Sequence, residues 1–217
     1  MKAAAALLCV VFALAAAPAA AQAPKDLRSS SQLSEDAGAR DSWTYRNPKA
    51  DLARYQRFVI EPTGVYSDPG ASWGGTSAEQ RRKYAAAFTE ALRTEIGKSY
   101  QVVDRKGPDV AVMKLTLLGV QPTKSVAATA TRISPLGLAF NGVKSLAGKE
   151  GSFTGSVQVA FELTDSRTGE LMAAAVRRRS PDALNIGAAL STDNTVEAVA
   201  KDVAKAIRAA VDKVHGR

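Results

Sequence analysis

The amino-acid sequence predicts an α+β domain: a mostly antiparallel sheet of four to five strands with two helices packed on one face, in the order β-α-β-β-β-β-α. Three observations carry this expectation. Tyr84, Phe88, Ala91, Leu92 and Ile96 recur at helical spacing. Phe153, Val157, Val159, Phe161 and Leu163 alternate with Ser152, Thr154, Ser156, Gln158, Glu162 and Thr164, the period of a strand with one buried and one wet face. The C-terminal stretch returns to helical period, with Val196, Val199, Ala200, Val203, Ala204, Ile207, Val211 and Val214 on one stripe.

The elements follow in order. Phe58, Val59 and Ile60 form the core of a first strand, Arg57 to Glu61, which Pro62 ends. After a Gly-rich loop, Ser77 and Gln80 have capping-box spacing for the first helix, and Gly97 stops it. A short strand, Tyr100 to Asp104, returns from the helix. Gly107 and Pro108 then turn the chain into a longer strand, about Val110 to Val120, apolar enough on both faces to be central. The alternating strand follows, and Asp165, Ser166, Arg167, Thr168 and Gly169 make a hairpin turn, with Gly169 free to take a left-handed backbone. Its partner strand runs from Glu170 to about Arg178. The last helix spans about Asn194 to Val214, with Glu197, Lys201, Lys205, Arg208 and Asp212 away from the apolar stripe and Gly216 past its end.

Ahead of the domain, residues 1–21 read as a secretory signal peptide. Lys2 precedes an apolar run rich in Ala, Leu and Val, and Ala19 and Ala21 sit where cleavage needs small residues, so Gln22 begins the mature chain. Cleavage after Ala23 also fits the spacing, but Pro24 would hinder it. The only cysteine, Cys9, lies inside this segment behind Leu8, where lipidation needs a small residue, so no lipid anchor is expected. Residues 22–42 are polar and Ser-rich, a flexible leader by composition. Residues 43–217 form the single domain. A periplasmic or secreted location follows, with a mature chain that has no thiol for a disulfide, a nucleophile or a metal ligand.

One histidine, His215, excludes a multi-His zinc site within one chain and a His-based triad, and it reads as the tip of the last helix. No cofactor is expected. The net charge of +8 favours acidic partners, and export redirects these from nucleic acid toward anionic lipid, lipopolysaccharide or acidic wall polymers. The densest basic runs are Arg81, Arg82, Lys83 and Arg177, Arg178, Arg179; each reads more economically as a solvated face than as a binding site.

Two stretches resemble a known family. WTYRNPKADLARYQRFVIEP, from Trp43 to Pro62, and DSRTGELMAAAVRR, from Asp165 to Arg178, are similar to the family catalogued as domain of unknown function 3313, with Tyr45, Arg46, Pro48, Asp51, Leu52 and Tyr55 as the better marker. The resemblance implies a bacterial envelope protein and no assigned activity. Many relatives look like lipoproteins, from which this chain departs in lacking a usable lipidation cysteine.

Other patterns invite sharper readings. GASWGGTS, from Gly70 to Ser77, approaches a phosphate-binding loop, but Thr76 stands where the lysine is needed. Backbone N–H groups of Gly74, Gly75 and Thr76 remain a candidate anion cradle, against a simple turn into the helix cap. Asp165 and Glu170 flank a surface turn, which argues against an acid/base pair. Tyr45, Arg46 and Asp51 are expected to pin the N-terminal arm. In the long connection from Gln121 to Ser152, Ser134 and Pro135 resemble a helix start, and Leu136, Ala139, Phe140, Val143 and Leu146 fall at helical spacing among Lys124, Arg132, Lys144 and Lys149. This is either an amphipathic flap that touches lipid or a partner, or a segment folded onto the sheet's open side.

The functional expectation is a non-enzymatic envelope protein that binds an anionic envelope component or a partner protein. The candidate contact residues are Lys124, Arg132, Leu136, Phe140, Lys144, Arg177, Arg178 and Arg179. The rivals are a carboxylate-dependent hydrolase of wall or lipid material and a structural subunit of an envelope complex. A concave pocket that gathers two or more carboxylates from different elements would sink the non-enzymatic expectation in favour of the hydrolase.

Overall fold

The computed structural model describes residues 23–37, 39, 41–68, 71–122, 155–181 and 191–217. The segment read as a signal peptide, the flap residues Lys124, Arg132, Leu136, Phe140 and Lys144, and the start of the alternating strand at Ser152 to Thr154 lie outside them.

Two α-helices and a mixed sheet of eight strands make up the described residues. The strands are β1 (Ser34–Glu35), β2 (Trp43–Arg46), β3 (Arg57–Ile60), β4 (Gly64–Val65), β5 (Gln101–Val102), β6 (Val110–Gln121), β7 (Ser156–Asp165) and β8 (Leu171–Arg179). They are ordered β1-β2-β8-β7-β6-β3-β5, with β4 also on β6. The expected four to five mostly antiparallel strands are therefore corrected. β3 pairs in parallel with both β5 and β6, and β4 with β6, whereas β6, β7, β8 and β2 run antiparallel. The cause is the helix between β3 and β5: a strand that leaves through a helical crossover returns in the same direction.

That helix, α1 (Ala78–Gly97), starts at the expected box: the Ser77 side chain accepts from the Gln80 N–H, and the Gln80 side chain accepts from the Ser77 N–H. Helix α2 (Thr192–Val214) is capped by Ser191 and buries Val196, Val199, Ala200, Val203, Ala204 and Ile207. Both helices lie on one face of the sheet. Phe88, Leu92 and Ile96 of α1 and Val196 and Val199 of α2 share a core with Phe58, Leu115, Leu117 and Val157 from the strands. Full burial of a side chain of this size stabilises by about 1.5–3 kcal/mol, so this layer dominates the fold.

The opposite face, expected to be wet, is covered in part. Residues 23–37 run across it as a strap, with Ala23, Leu27 and Leu33 packed on Trp43, Leu118, Ala160 and Val176. The Ser29 N–H donates to Glu162 Oε1 at 2.8 Å. Ser156, Ala160 and Glu162 of β7 are buried as a result. The polar segment 22–42, expected to be flexible, thus makes specific contacts along its described part. Its fastenings are main-chain groups and single ion pairs, which leave no periodic trace in sequence.

Candidate functional site

The open remainder of that face is a polar cleft of about 370 Å³. Its floor is Val112, Lys114 and Thr116 of β6 with Glu162 and Thr164 of β7, which face this side because alternate residues point away from the helices. The chain after β3 and through β4 supplies Glu61 and Tyr66 on one side, and the strap supplies Asp26 and Arg28. Lys106, Ser166 and Gly169 close the end beside the β7–β8 hairpin.

Lys114 sits opposite Glu162 in the β6–β7 register. The Glu61 N–H donates to Met113 O, which extends the parallel β3–β6 register to Lys114 from the other side. Two carboxylates and an ammonium from β6, β7 and the chain just after β3 therefore share one concavity, the condition set against the non-enzymatic reading. Chemically the carboxylates are unequal, because Glu162 is committed to the strap amide and Glu61 is not. Tyr66 donates its hydroxyl to Lys25 O at 2.6 Å, and burial, then the nearby Asp68 and Asp26 carboxylates, raises its pKa above the usual phenol value.

Asp165, at the cleft rim, is fully used in structure. Its Oδ1 accepts from the Arg167 and Thr168 N–H groups, both at 2.8 Å, and from the Thr168 hydroxyl. Its Oδ2 accepts from the Tyr55 hydroxyl at 2.7 Å and from Arg54 at 3.1 Å. These bonds, led by the Thr168 amide and the Tyr55 hydroxyl, hold its pKa down at about 2. Glu170 accepts from the Asn47 side-chain amide. Asp165 and Glu170 are thus turn and arm fasteners, with Gly169 at φ +71° as the left-handed residue of the hairpin.

Arg177 pairs with Asp36 at 2.7 Å and donates to Trp43 O, and Arg178 pairs with Asp41 at 3.1 Å. Two of the three candidate arginines are therefore engaged in holding the N-terminal segment, and Arg179 is exposed at the end of β8. Tyr45, Arg46 and Asp51 do not gather. Arg46 is exposed, while Asp51 caps a 3-10 turn, Leu52–Arg54, by accepting from the Ala53 N–H.

The Gly-rich loop is a turn into α1. Gly74 (φ +52°) and Gly75 (φ +81°) take left-handed backbones, and a Cβ at Gly74 would fall 2.1 Å from Pro122 Cδ. The Thr76 N–H is spent on Trp73 O, which takes away one of the three groups of the candidate cradle. His215 caps α2 with its ring against Tyr100, whose hydroxyl donates to Asp212; burial and that carboxylate push the Tyr100 pKa up to about 12. Among the described residues, no group of three or more His, Cys, Asp or Glu is placed to hold a metal, and no helix is long and apolar enough to cross a membrane.

Sequence reasoning missed Arg28, Glu61, Lys106 and Lys114. The signal available was Lys114 itself, a lone charge inside the apolar run VAVMKLTLL, which marks a face that needs polar company.

Fold and site define a two-layer α+β protein whose second sheet face is partly covered by its own N-terminal strap around a polar cleft. The chain belongs to the family described as protein of unknown function, domain of unknown function 3313, which it matches over residues 23–207. No curated protein matches it in sequence. Among solved structures it is similar to the PelC dodecamer from Paraburkholderia phytofirmans, at 11% identity and a TM-score of 0.42, covering 78% of this chain and 95% of that one. It is also similar to a candidate lipoprotein from Caulobacter crescentus, at 12% identity and a TM-score of 0.34, covering 75% and 90% of the two chains.

Proposed function

We propose that this chain is a non-enzymatic, envelope-associated binding module whose cleft takes the anionic headgroup of an envelope component. One observation carries the reading: Arg28, Lys106 and Lys114 line the same cleft and make no ion pair with any described carboxylate. Glu162 and Asp165 accept from the Ser29 amide and from the hairpin and keep their charge, so neither is ion-paired to these three cations. Asp26, Glu61 and Asp68 also line it, and five carboxylates beside three cations suit a ligand that carries ammonium or hydroxyl donors beside its phosphate or carboxylate. The signal-like residues 1–21 support the location.

The test is flotation of the full chain with phosphatidylglycerol vesicles against phosphatidylcholine vesicles. At about 1 kcal/mol per surface lysine, Lys106→Ala with Lys114→Ala weakens binding roughly 30-fold. The control pair Lys201→Ala and Lys205→Ala, on the outer side of α2, leaves binding within about twofold if the cleft and not overall charge is the site. Equal losses from both pairs would sink the reading.

Glu61 and Glu162 flanking Lys114 favour the hydrolase as the second reading. Release of soluble fragments from vesicles or wall material, abolished by Glu61→Gln, would establish it instead.

A further inference from the structure

We infer that the strap, residues 23–37, is a latch on this cleft: it opens ahead of the rest of the fold, and when closed it supplies one wall of the ligand site. The ligand half of this inference rests on the anion-binding reading above.

The strap is held by contacts of a different kind from those of the core. Its sheet pairing is confined to Ser34 with Thr44 and Glu35 with Trp43. Its polar fasteners are the Ser29 N–H on Glu162, the Tyr66 hydroxyl on Lys25 O and, at Asp36, the Arg177 ion pair, the Thr44 hydroxyl on its carboxylate and its own N–H on Ser42 O. Its apolar contacts, Ala23, Leu27 and Leu33, are only partly buried, whereas Phe88, Ile96, Leu117 and Val157 of the main core are 0% exposed. Closure also leaves the Ser29 Oγ buried with no hydrogen-bond partner among the described residues, a penalty that opening relieves. Segments with few buried apolar contacts open at a fraction of the global unfolding free energy.

The strap also has its own internal bonds and can move as a body. Ser30 N–H donates to Leu27 O, and Gln32 and Leu33 N–H groups donate to Ser29 O. Between these local turns and the sheet, the strap places Arg28 over the hairpin, where a Cβ on Gly169 would meet its guanidinium at 3.1 Å. Arg28 thus enters the cleft from the strap, and Lys106 and Lys114 enter from the body. An anion held by both groups bridges the two parts. It favours the closed strap, and by reciprocity a closed strap raises affinity for the anion.

Native-state hydrogen exchange on the full chain, with and without phosphatidylglycerol vesicles, tests this. The Ser29, Gln32 and Leu33 amides exchange at least about 100-fold faster than those of Leu115 and Leu117, and vesicles slow the strap amides at least about fivefold. Tyr66→Phe, which releases Lys25 O, speeds strap exchange and weakens vesicle binding while Leu115 and Leu117 stay protected. Strap amides that exchange at the β6 rate would overturn the latch whether or not vesicles bind. Fast strap exchange that bound vesicles leave unchanged would overturn its role as a wall of the site. Fast exchange with no vesicle binding by the unaltered chain supports the latch and overturns the anion-binding reading.

Discussion

Replacing Asp165 with Asn separates a structural hairpin from a catalytic carboxylate. The substitution keeps one oxygen for the Arg167 and Thr168 amides but turns an NH₂ group toward the Tyr55 hydroxyl and Arg54, so a donor meets the Arg54 guanidinium and Tyr55 loses its carboxylate acceptor. The carboxyl is depressed from 3.8 to about 2. At 1.36 kcal/mol per unit, the ionised group contributes about 2–3 kcal/mol. For a domain of this size, that lowers the melting temperature by roughly 5–10 °C. A depressed acid stabilises fully above its unfolded pKa, and the contribution is lost as pH falls through the folded value. The deficit of Asp165→Asn is therefore full at pH 7, shrinks below about pH 4 and vanishes near pH 2. Urea unfolding followed by the fluorescence of buried Trp43 and Trp73 reads it directly. A variant as stable as the parent, or a deficit that stays constant down to about pH 2.5, would refute the role assigned to Asp165.

Two further substitutions probe how the layers are joined. Gly119→Ala would put a Cβ 2.6 Å from Ser72 O, whose bond from the Val120 N–H ties the loop before α1 to β6. The expected cost is about 1–3 kcal/mol in urea unfolding, and a neutral result would mean that this loop is not docked there. Arg177→Ala frees Trp43 O and Asp36 at a cost of about 1 kcal/mol in global stability. Its larger effect is faster exchange at the Asp36 amide, which donates to Ser42 O, and unchanged protection there would count against the strap's fastening.

The helices were readable because their signals are local. The Ser77 and Gln80 box, the stripe from Val196 to Ile207 and the Asp165 to Gly169 turn each lie within a few residues of chain. β3, β6, β7 and β8 were visible as apolar or alternating runs, and β5 lies within the short strand expected from Tyr100 to Asp104. β1, β2 and β4 were not, since they have no apolar run of their own and β2 and β4 are set by distant partners on β8 and β6. Strand direction was implicit in the order strand, helix, strand, which demands a parallel return between β3 and β6. The partners of the basic run were not legible: Arg177 and Arg178 find Asp36 and Asp41 well over a hundred residues away, pairings invisible to spacing. The cleft was missed for the same reason, because Arg28, Lys106 and Lys114 meet only through the sheet and the strap.

The most direct test of the account is amide chemical-shift mapping of the full chain titrated with phosphatidylglycerol bicelles. The account predicts saturable shifts at Arg28, Gly64, Lys106, Lys114 and Gly169, which vanish when Lys106 and Lys114 are both alanine. Shifts confined to Arg177, Arg178 and Arg179 or to the outer faces of the helices, with the cleft amides unmoved, would contradict it.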